Sequence, residues 1–202
     1  MALLVVFEGV EGSGKTTQTQ ILRDKLQSIN LPAITTREPG GTPSGELIRN
    51  LILEQEDLTP TSELYLFNAA RSLLIEQLVM PTLASGVHVI MDRFTYSTVA
   101  YQSYGRGITL ETVETVNNIA SHQLQPDLVV LLDISPEKAL NRRPDRQDRF
   151  EREALEFHSK IREGYLAMAH SQNSNWLVIP AGLTTDEIAT AVWEKVETLI
   201  SN

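Results

Sequence analysis

Gly9-Val10-Glu11-Gly12-Ser13-Gly14-Lys15-Thr16 decides the fold. A glycine, four residues and then Gly-Lys-Thr stand between an apolar run, Leu3-Leu4-Val5-Val6-Phe7, and a segment over 16–26 with helical patterning. That strand, loop and helix setting is what the spacing needs to cradle phosphate. Glycine permits backbone conformations that a β-carbon forbids, so successive N–H groups can turn inward toward phosphate oxygens. The following helix presents its positive end to the same anion. Lys15 adds a full charge near the β- and γ-phosphates of a nucleotide, and the Thr16 hydroxyl is placed to ligate magnesium. Gly9, Val10, Glu11, Gly12, Ser13, Gly14, Lys15, Thr16 and Thr17 form the candidate nucleotide-binding set.

Outward from this loop, strand and helix patterns alternate, which predicts an α/β fold: a five-stranded parallel sheet with helices on both faces. After the first strand, further strands are expected at 33–36, 87–91, 128–133 and 176–179. Helices are expected at 44–53, 62–85 with a kink at Pro81, 97–102, 110–121, 151–170 and 185–200. Residues 136–141 begin a helix that an arginine-rich segment interrupts. In open sheets of this kind ligands bind outside the carboxyl ends of the strands. The glycine-rich loop, Arg37, Asp92-Arg93 and the residues after Asp133 would therefore share one crevice.

The length of 202 residues suits a single domain over 1–202. The absence of cysteine excludes disulfides, thiolate zinc sites and cysteine nucleophiles. No apolar run is long enough to span a bilayer and the N-terminus has no basic n-region, so no membrane partner is expected and cytoplasm is the expected compartment. The net charge of −9 argues against sequence-independent binding to nucleic acid. An acidic protein with a polyanion site must also gather its basic residues locally. Arg142, Arg143, Arg146 and Arg149 fall within eight residues, and Arg37, Arg71 and Arg93 stand in loop or helix-face settings.

Asp92 and Asp133 both end apolar strands and both could serve as the metal carboxylate of a phosphate loop. Arg93 favours Asp92, because an arginine beside the metal carboxylate can clamp a second anion. The metal set is thus Thr16 and Asp92. The segment Asn141-Arg142-Arg143-Pro144-Asp145-Arg146-Gln147-Asp148-Arg149 reads either as a solvated charged loop or as a short lid, over about 142–150, whose arginines close on phosphates. Neither an Asn-Lys-x-Asp guanine motif nor an Asp-x-x-Gly switch after the third strand is present, which argues against a regulatory GTPase. His88, His122, His158 and His170 show no metal-ligand spacing.

With these segments in place, the chain resembles the thymidylate kinases over essentially its whole length. The matching stretches are 7–17, Thr36-Arg37-Glu38-Pro39-Gly40-Gly41-Thr42, Asp92-Arg93-Phe94, Ala100-Tyr101-Gln102, Arg106-Gly107-Ile108, and Pro126-Asp127-Leu128 leading to Leu132-Asp133. The resemblance implies transfer of the γ-phosphoryl group of ATP to thymidine monophosphate (dTMP), with Mg2+ as cofactor, for dTTP synthesis. It implies that residues 9–17 cradle ATP and that Arg37 and Arg93 hold the acceptor phosphate. Glu11 would face the acceptor sugar, Phe67 would stack on thymine, and Arg71 would bond its O4. Thr98 or Gln102 would meet the ring edge, and Tyr101 would lie under C2′. Phe67 and Arg71 are four residues apart, so in a helix they share a face. No basic residue occupies 10–13, a pattern similar to members whose catalytic arginines come from the lid, which adds Arg146 and Arg149 to Lys15 and Arg93 as catalytic candidates. The motif match, with two glycines following, predicts a cis peptide at Glu38-Pro39. The family resemblance further implies a homodimer packed through helices.

Overall fold

The computed structural model describes residues 2–142, 148–171, 175–180 and 182–201. Strands β1 (Leu4–Glu8), β2 (Ala33–Arg37), β3 (His88–Asp92), β4 (Leu128–Asp133) and β5 (Trp176–Pro180) form one parallel sheet in the order β2-β3-β1-β4-β5. β1 and β4 are unbroken apolar runs because helices cover both of their faces. Side chains alternate between those faces. Val5 and Phe7 pack with Leu22 and Leu26 of α1 (Lys15–Ser28) and with Ile188, Val192 and Val196 of α9 (Thr185–Ser201). Leu4 and Val6 pack on the other side with Leu74, Ile75 and Val79. The expected sheet is therefore present.

The strand order places the site. From β1 the chain moves to β2 and β3 on one side of the sheet, then crosses to β4 and β5 on the other. The crevice opens where that direction reverses, at the carboxyl end of β1, and residues 9–14 lie there.

The helices differ from expectation at three places. The helix expected over 62–85 is α3 (Pro60–Leu74), a π-helical stretch Ile75–Val79, then α4 (Met80–Ala84). A proline lacks an N–H for the carbonyl four residues back, and its ring crowds that carbonyl. Here the turn widens ahead of Pro81, and Met80 N–H reaches Ile75 O five residues back, so the irregularity precedes the proline. The helix expected over 97–102 is α5 (Thr95–Thr98) followed by a π-helical stretch Val99–Gly105, where Arg106 N–H bonds Tyr101 O. The helix expected from 151 begins later, as α8 (Leu155–Ser171). Asp148 Oδ1 accepts from Phe150 N and Glu151 N, each at 3.0 Å, which holds 148–153 in turns.

The remaining helices are α2 (Pro43–Glu54), α6 (Leu110–Ala120) and α7 (Pro136–Asn141). Thr42 caps α2 by accepting from Gly45 N, with Pro43 in the first turn. Among the described residues, no helix is long and apolar enough to cross a membrane.

Candidate active site

The loop after β1 takes the shape its glycines allow. Gly9 has φ 140°, and a β-carbon there would stand 2.7 Å from Leu132 O. Gly14 has φ 98° and precedes α1 with no side chain capping it, so the helix start is left for an anion. Lys15 Nζ donates back to Gly9 O (3.1 Å) and Val10 O (2.9 Å). Burial, with Arg93 nearby, lowers the Lys15 ammonium to about 8, against the opposing pull of Asp92, Glu11 and Glu8. Thr16 Oγ1 donates to Asp92 Oδ2 at 2.5 Å, so the two expected metal ligands are adjacent. Asp133, the alternative, is held by Arg162 through Nε (2.6 Å) and Nη2 (2.8 Å).

Beyond β3, Arg93 has φ 75°, a conformation uncommon for a residue with a β-carbon. Its guanidinium joins several elements. Nη1 donates to Gly9 O (3.1 Å), Ser97 Oγ (3.0 Å) and Tyr165 OH (3.2 Å). Nη2 donates to Glu11 Oε1 (2.9 Å) and Tyr101 OH (3.3 Å). The Tyr101 hydroxyl in turn lies 2.5 and 2.6 Å from the two Glu11 oxygens. Burial alone would raise the Glu11 carboxyl, but Arg93, Lys15 and the Tyr101 hydroxyl outweigh it and hold the group below the usual range. Glu8 anchors the same cluster from β1, with Phe94 N, Ser97 N, Ser97 Oγ and Tyr165 OH all donating to its carboxylate. Burial raises its carboxyl above the ordinary value.

A second group stands on α3. Glu38-Pro39 is cis, as the motif predicts. Glu38 sits 5% exposed and faces Arg71, which is 1% exposed. Arg71 Nη2 lies 2.6 Å from Glu38 Oε2, and Nε lies 3.1 and 2.9 Å from the two oxygens. Its other donors reach Asn68 Oδ1, Asn117 Oδ1, Phe94 O and Thr98 Oγ1. A guanidinium has five N–H groups, and every one of its nitrogens is engaged by protein. Arg71 is thus a fixed pillar of the crevice wall rather than a loose surface arginine.

These groups enclose one crevice of about 390 Å³. Glu11, Gly12, Gly14, Lys15, Thr16, Thr17 and Asp92 line one end. Phe67, Arg71, Thr98, Tyr101 and Gln102 line the other, and Arg37 and Arg93 stand along it. Arg37 lies at the exposed rim, paired with Glu46 at 2.8 Å.

The arginine-rich segment divides. Arg142 lines the crevice, and its Nη1 approaches Gly12 O at 3.4 Å. Arg149 faces elsewhere: Nη1 meets Glu63 Oε1 at 2.6 Å and Nε meets Ile52 O at 2.6 Å. It lines a separate cavity with Arg106 and Arg152. The geometry therefore makes Arg149 an anchor for the end of the segment, not a residue reaching the glycine-rich loop. Arg143 and Arg146 lie outside the described residues.

Sequence reasoning missed Glu8, Glu38, Arg49, Phe150 and Tyr165. Arg49 lines the crevice from α2 and donates to Pro39 O (2.9 Å). Phe150 packs beside Phe67 (centroids 5.9 Å apart) and Tyr101 (5.8 Å), which makes an aromatic slot. A signal existed for two of these. Glu8 is an acidic residue closing an apolar strand, and Glu38 stands within the quoted motif.

A family model described as thymidylate kinase matches residues 7–192. A thymidylate kinase of Dehalococcoides mccartyi is 42% identical over 203 residues, with 99% of this chain and 98% of the relative covered. One from Chlorobaculum parvum is 41% identical over 209 residues, with 98% and 96% covered. The crystal structure of thymidylate kinase from Ehrlichia chaffeensis superposes with a TM-score of 0.81 at 31% identity, over 96% of this chain and 98% of that one. With a glycine-rich loop leading into a helix, an arginine-rich crevice and these likenesses over almost its whole length, the chain belongs to the thymidylate kinase family of ATP-dependent nucleoside monophosphate kinases.

Proposed function

We propose that this chain transfers the γ-phosphoryl group of ATP to dTMP, with ATP on residues 9–17 and dTMP in the aromatic end of the crevice. The observation that carries this reading is the Glu11, Arg93 and Tyr101 cluster, which lies between the phosphate loop and the slot formed by Phe67, Tyr101 and Phe150. An acceptor with a base in that slot brings its phosphate beside Arg93 and the rim residue Arg37. The attacking atom is then a phosphate oxygen already ionised at neutral pH, so no general base is required. What the reaction needs is alignment and neutralisation of charge. Lys15 serves the donor side, Arg93 and Arg37 the acceptor side, and Arg142 is the described arginine of the lid segment placed to meet charge on the transferred group.

Thr16 Oγ1 and Asp92 Oδ2 are hard oxygen donors on adjacent side chains, which suits Mg2+ with its remaining positions taken by phosphate and water. Bound there, it would neutralise charge on the β- and γ-phosphates. Glu11 and Tyr101 together face the sugar, where the ring of Tyr101 opposes a 2′-hydroxyl. Arg71 meets a carbonyl at the base edge only by exchanging one of its present partners, of which Glu38 and Thr98 also line the crevice and Thr98 Oγ1 is the uncharged one.

A cytoplasmic setting and a homodimer complete the reading. Leu47 and Leu51 of α2, Tyr65 of α3 and Ile119 of α6 are large apolar side chains left exposed, which supports association through helices. The test is ADP release coupled to a reporter, run on dTMP, dUMP, dCMP and UMP. Turnover with dTMP at the highest kcat/KM supports the reading, and ADP release independent of any monophosphate contradicts it.

A further inference from the structure

Behind the base end of the crevice lies a carboxylate that the proposed reaction does not use. Glu63, in the first turn of α3, is 1% exposed. Gln102 Nε2 (3.1 Å) and Arg106 Nε (3.3 Å) donate to its Oε2. Arg149 Nη1 (2.6 Å) and Arg106 Nη2 (3.3 Å) meet its Oε1. The two arginines are themselves fixed, Arg106 by Glu153 at 2.6 Å and Arg149 by Ile52 O. The carboxylate cannot swing away from Gln102 without breaking these contacts.

A carboxylate accepts hydrogen bonds and donates none, so Gln102 must turn its NH2 group toward Glu63. Its Oε1 then points elsewhere. That oxygen is buried and has no hydrogen-bond partner among the described residues, in a side chain that lines the crevice and is 0% exposed. A buried acceptor without a donor is unfavourable in the free protein, and a donor brought by a ligand removes the deficit.

We propose that Glu63 is a positioning residue for base selection, holding the Gln102 amide so that an acceptor, and not a donor, is left for the base. The site then reads a ring N–H, which thymine and uracil carry, and rejects cytosine, whose corresponding ring nitrogen is itself an acceptor. Two acceptors face each other in the cytosine complex, and neither is satisfied. This inference rests on dTMP occupying the crevice as described above.

The test is Glu63→Gln, which keeps size but supplies an NH2 that can donate to a reversed Gln102. Steady-state rates with dTMP and dCMP at saturating ATP should show the dTMP:dCMP ratio of kcat/KM falling ~10-fold or more. The change should lie mainly in KM for dTMP, with kcat within about threefold of wild type and KM for ATP unchanged. The exchange Glu63→Gln with Gln102→Glu restores one NH2 facing one carboxylate and again leaves an acceptor for the base, so it should recover much of the ratio. A purely structural role would lower Tm without moving the ratio, and the exchange would not restore it. An unchanged ratio in folded Glu63→Gln overturns the proposal. Should that variant not fold, Glu63→Asp keeps a negative charge near Arg106 and Arg149 while drawing the carboxylate out of hydrogen-bond reach of Gln102. It should lose selectivity in the same direction, and retained selectivity overturns the proposal equally. Wild-type protein that does not phosphorylate dTMP removes the functional reading and this inference with it. Wild-type protein that does, with the ratio insensitive to both variants, removes this inference alone.

Discussion

Glu38→Ala exposes how much the crevice depends on one buried ion pair. Arg71 is 1% exposed, and three of its contacts, at 2.6, 2.9 and 3.1 Å, go to Glu38. Removing the carboxylate strands a buried cation that no nearby side chain can neutralise, since Asn68, Asn117 and Thr98 are neutral partners. Breaking a buried pair in this way costs about 3–5 kcal/mol. Unfolding entropy of about 2.1 cal/mol/K per residue over the 202 residues amounts to roughly 0.42 kcal/mol/K. The expected fall in Tm is therefore ~7–12 °C, read by calorimetry at fixed pH. The same variant should raise KM for dTMP, because Arg71 forms part of the wall behind Phe67 and Thr98. Replacing both partners, Glu38→Leu with Arg71→Met, removes the stranded charge and should cost less than the two single replacements added together. A single Glu38→Ala variant that melts within 2 °C of wild type would refute the reasoning, since the pair would then contribute nothing beyond its shape.

Lys15 titrates at about 8 in the free protein, and bound phosphates favour its charged form. ATP binding above that pH must therefore take up a proton, so affinity falls as pH rises past 8, by at most about tenfold per unit. Calorimetry in buffers of different ionisation enthalpy should show this uptake in wild type and not in Lys15→Met, which should also transfer phosphate at least ~100-fold more slowly. With dTMP placed as proposed, Tyr101→Ala removes the ring opposed to a 2′-hydroxyl and should lower the ratio of kcat/KM for deoxyribo- over ribo-monophosphate; an unchanged ratio would mean the sugar is read by Glu11 alone. Arg142→Ala should lower kcat by ~100-fold with little change in KM for dTMP, the pattern of a contact made in the transition state. Arg149→Ala should instead lower Tm and raise KM for dTMP through loss of its bond to Glu63, and a selective loss of kcat there would contradict the anchor role.

What could be read ahead of the structure was whatever repeats locally. The glycine-rich loop announces itself in eight residues, and the strands through apolar runs with β-branched residues, so the sheet and its crevice were legible. Thr16, Asp92 and Arg93 followed because sheet topology brings strand ends together. The pairs Glu38–Arg71 and Glu63–Arg149 join positions 33 and 86 residues apart. No periodicity marks such partners, and nothing in the sequence pairs one with the other. Arg149 shows the same limit from the other side, since a cluster of arginines does not say which of them turn toward the crevice. The π-helical stretches were hidden as well. Pro81 signals trouble in a helix, but whether the chain answers by kinking or by widening a turn depends on how Ile75 and Val79 pack against β3.

Everything proposed for this crevice turns on transfer of a phosphoryl group between two nucleotides held in it. Purified protein mixed with γ-labelled ATP, Mg2+ and dTMP tests it most directly, with products separated and the label traced. Label should appear in the β-phosphate of thymidine diphosphate, dependent on dTMP and lost in Lys15→Met and in Arg93→Ala. Label released as inorganic phosphate at the same rate with and without dTMP would contradict it.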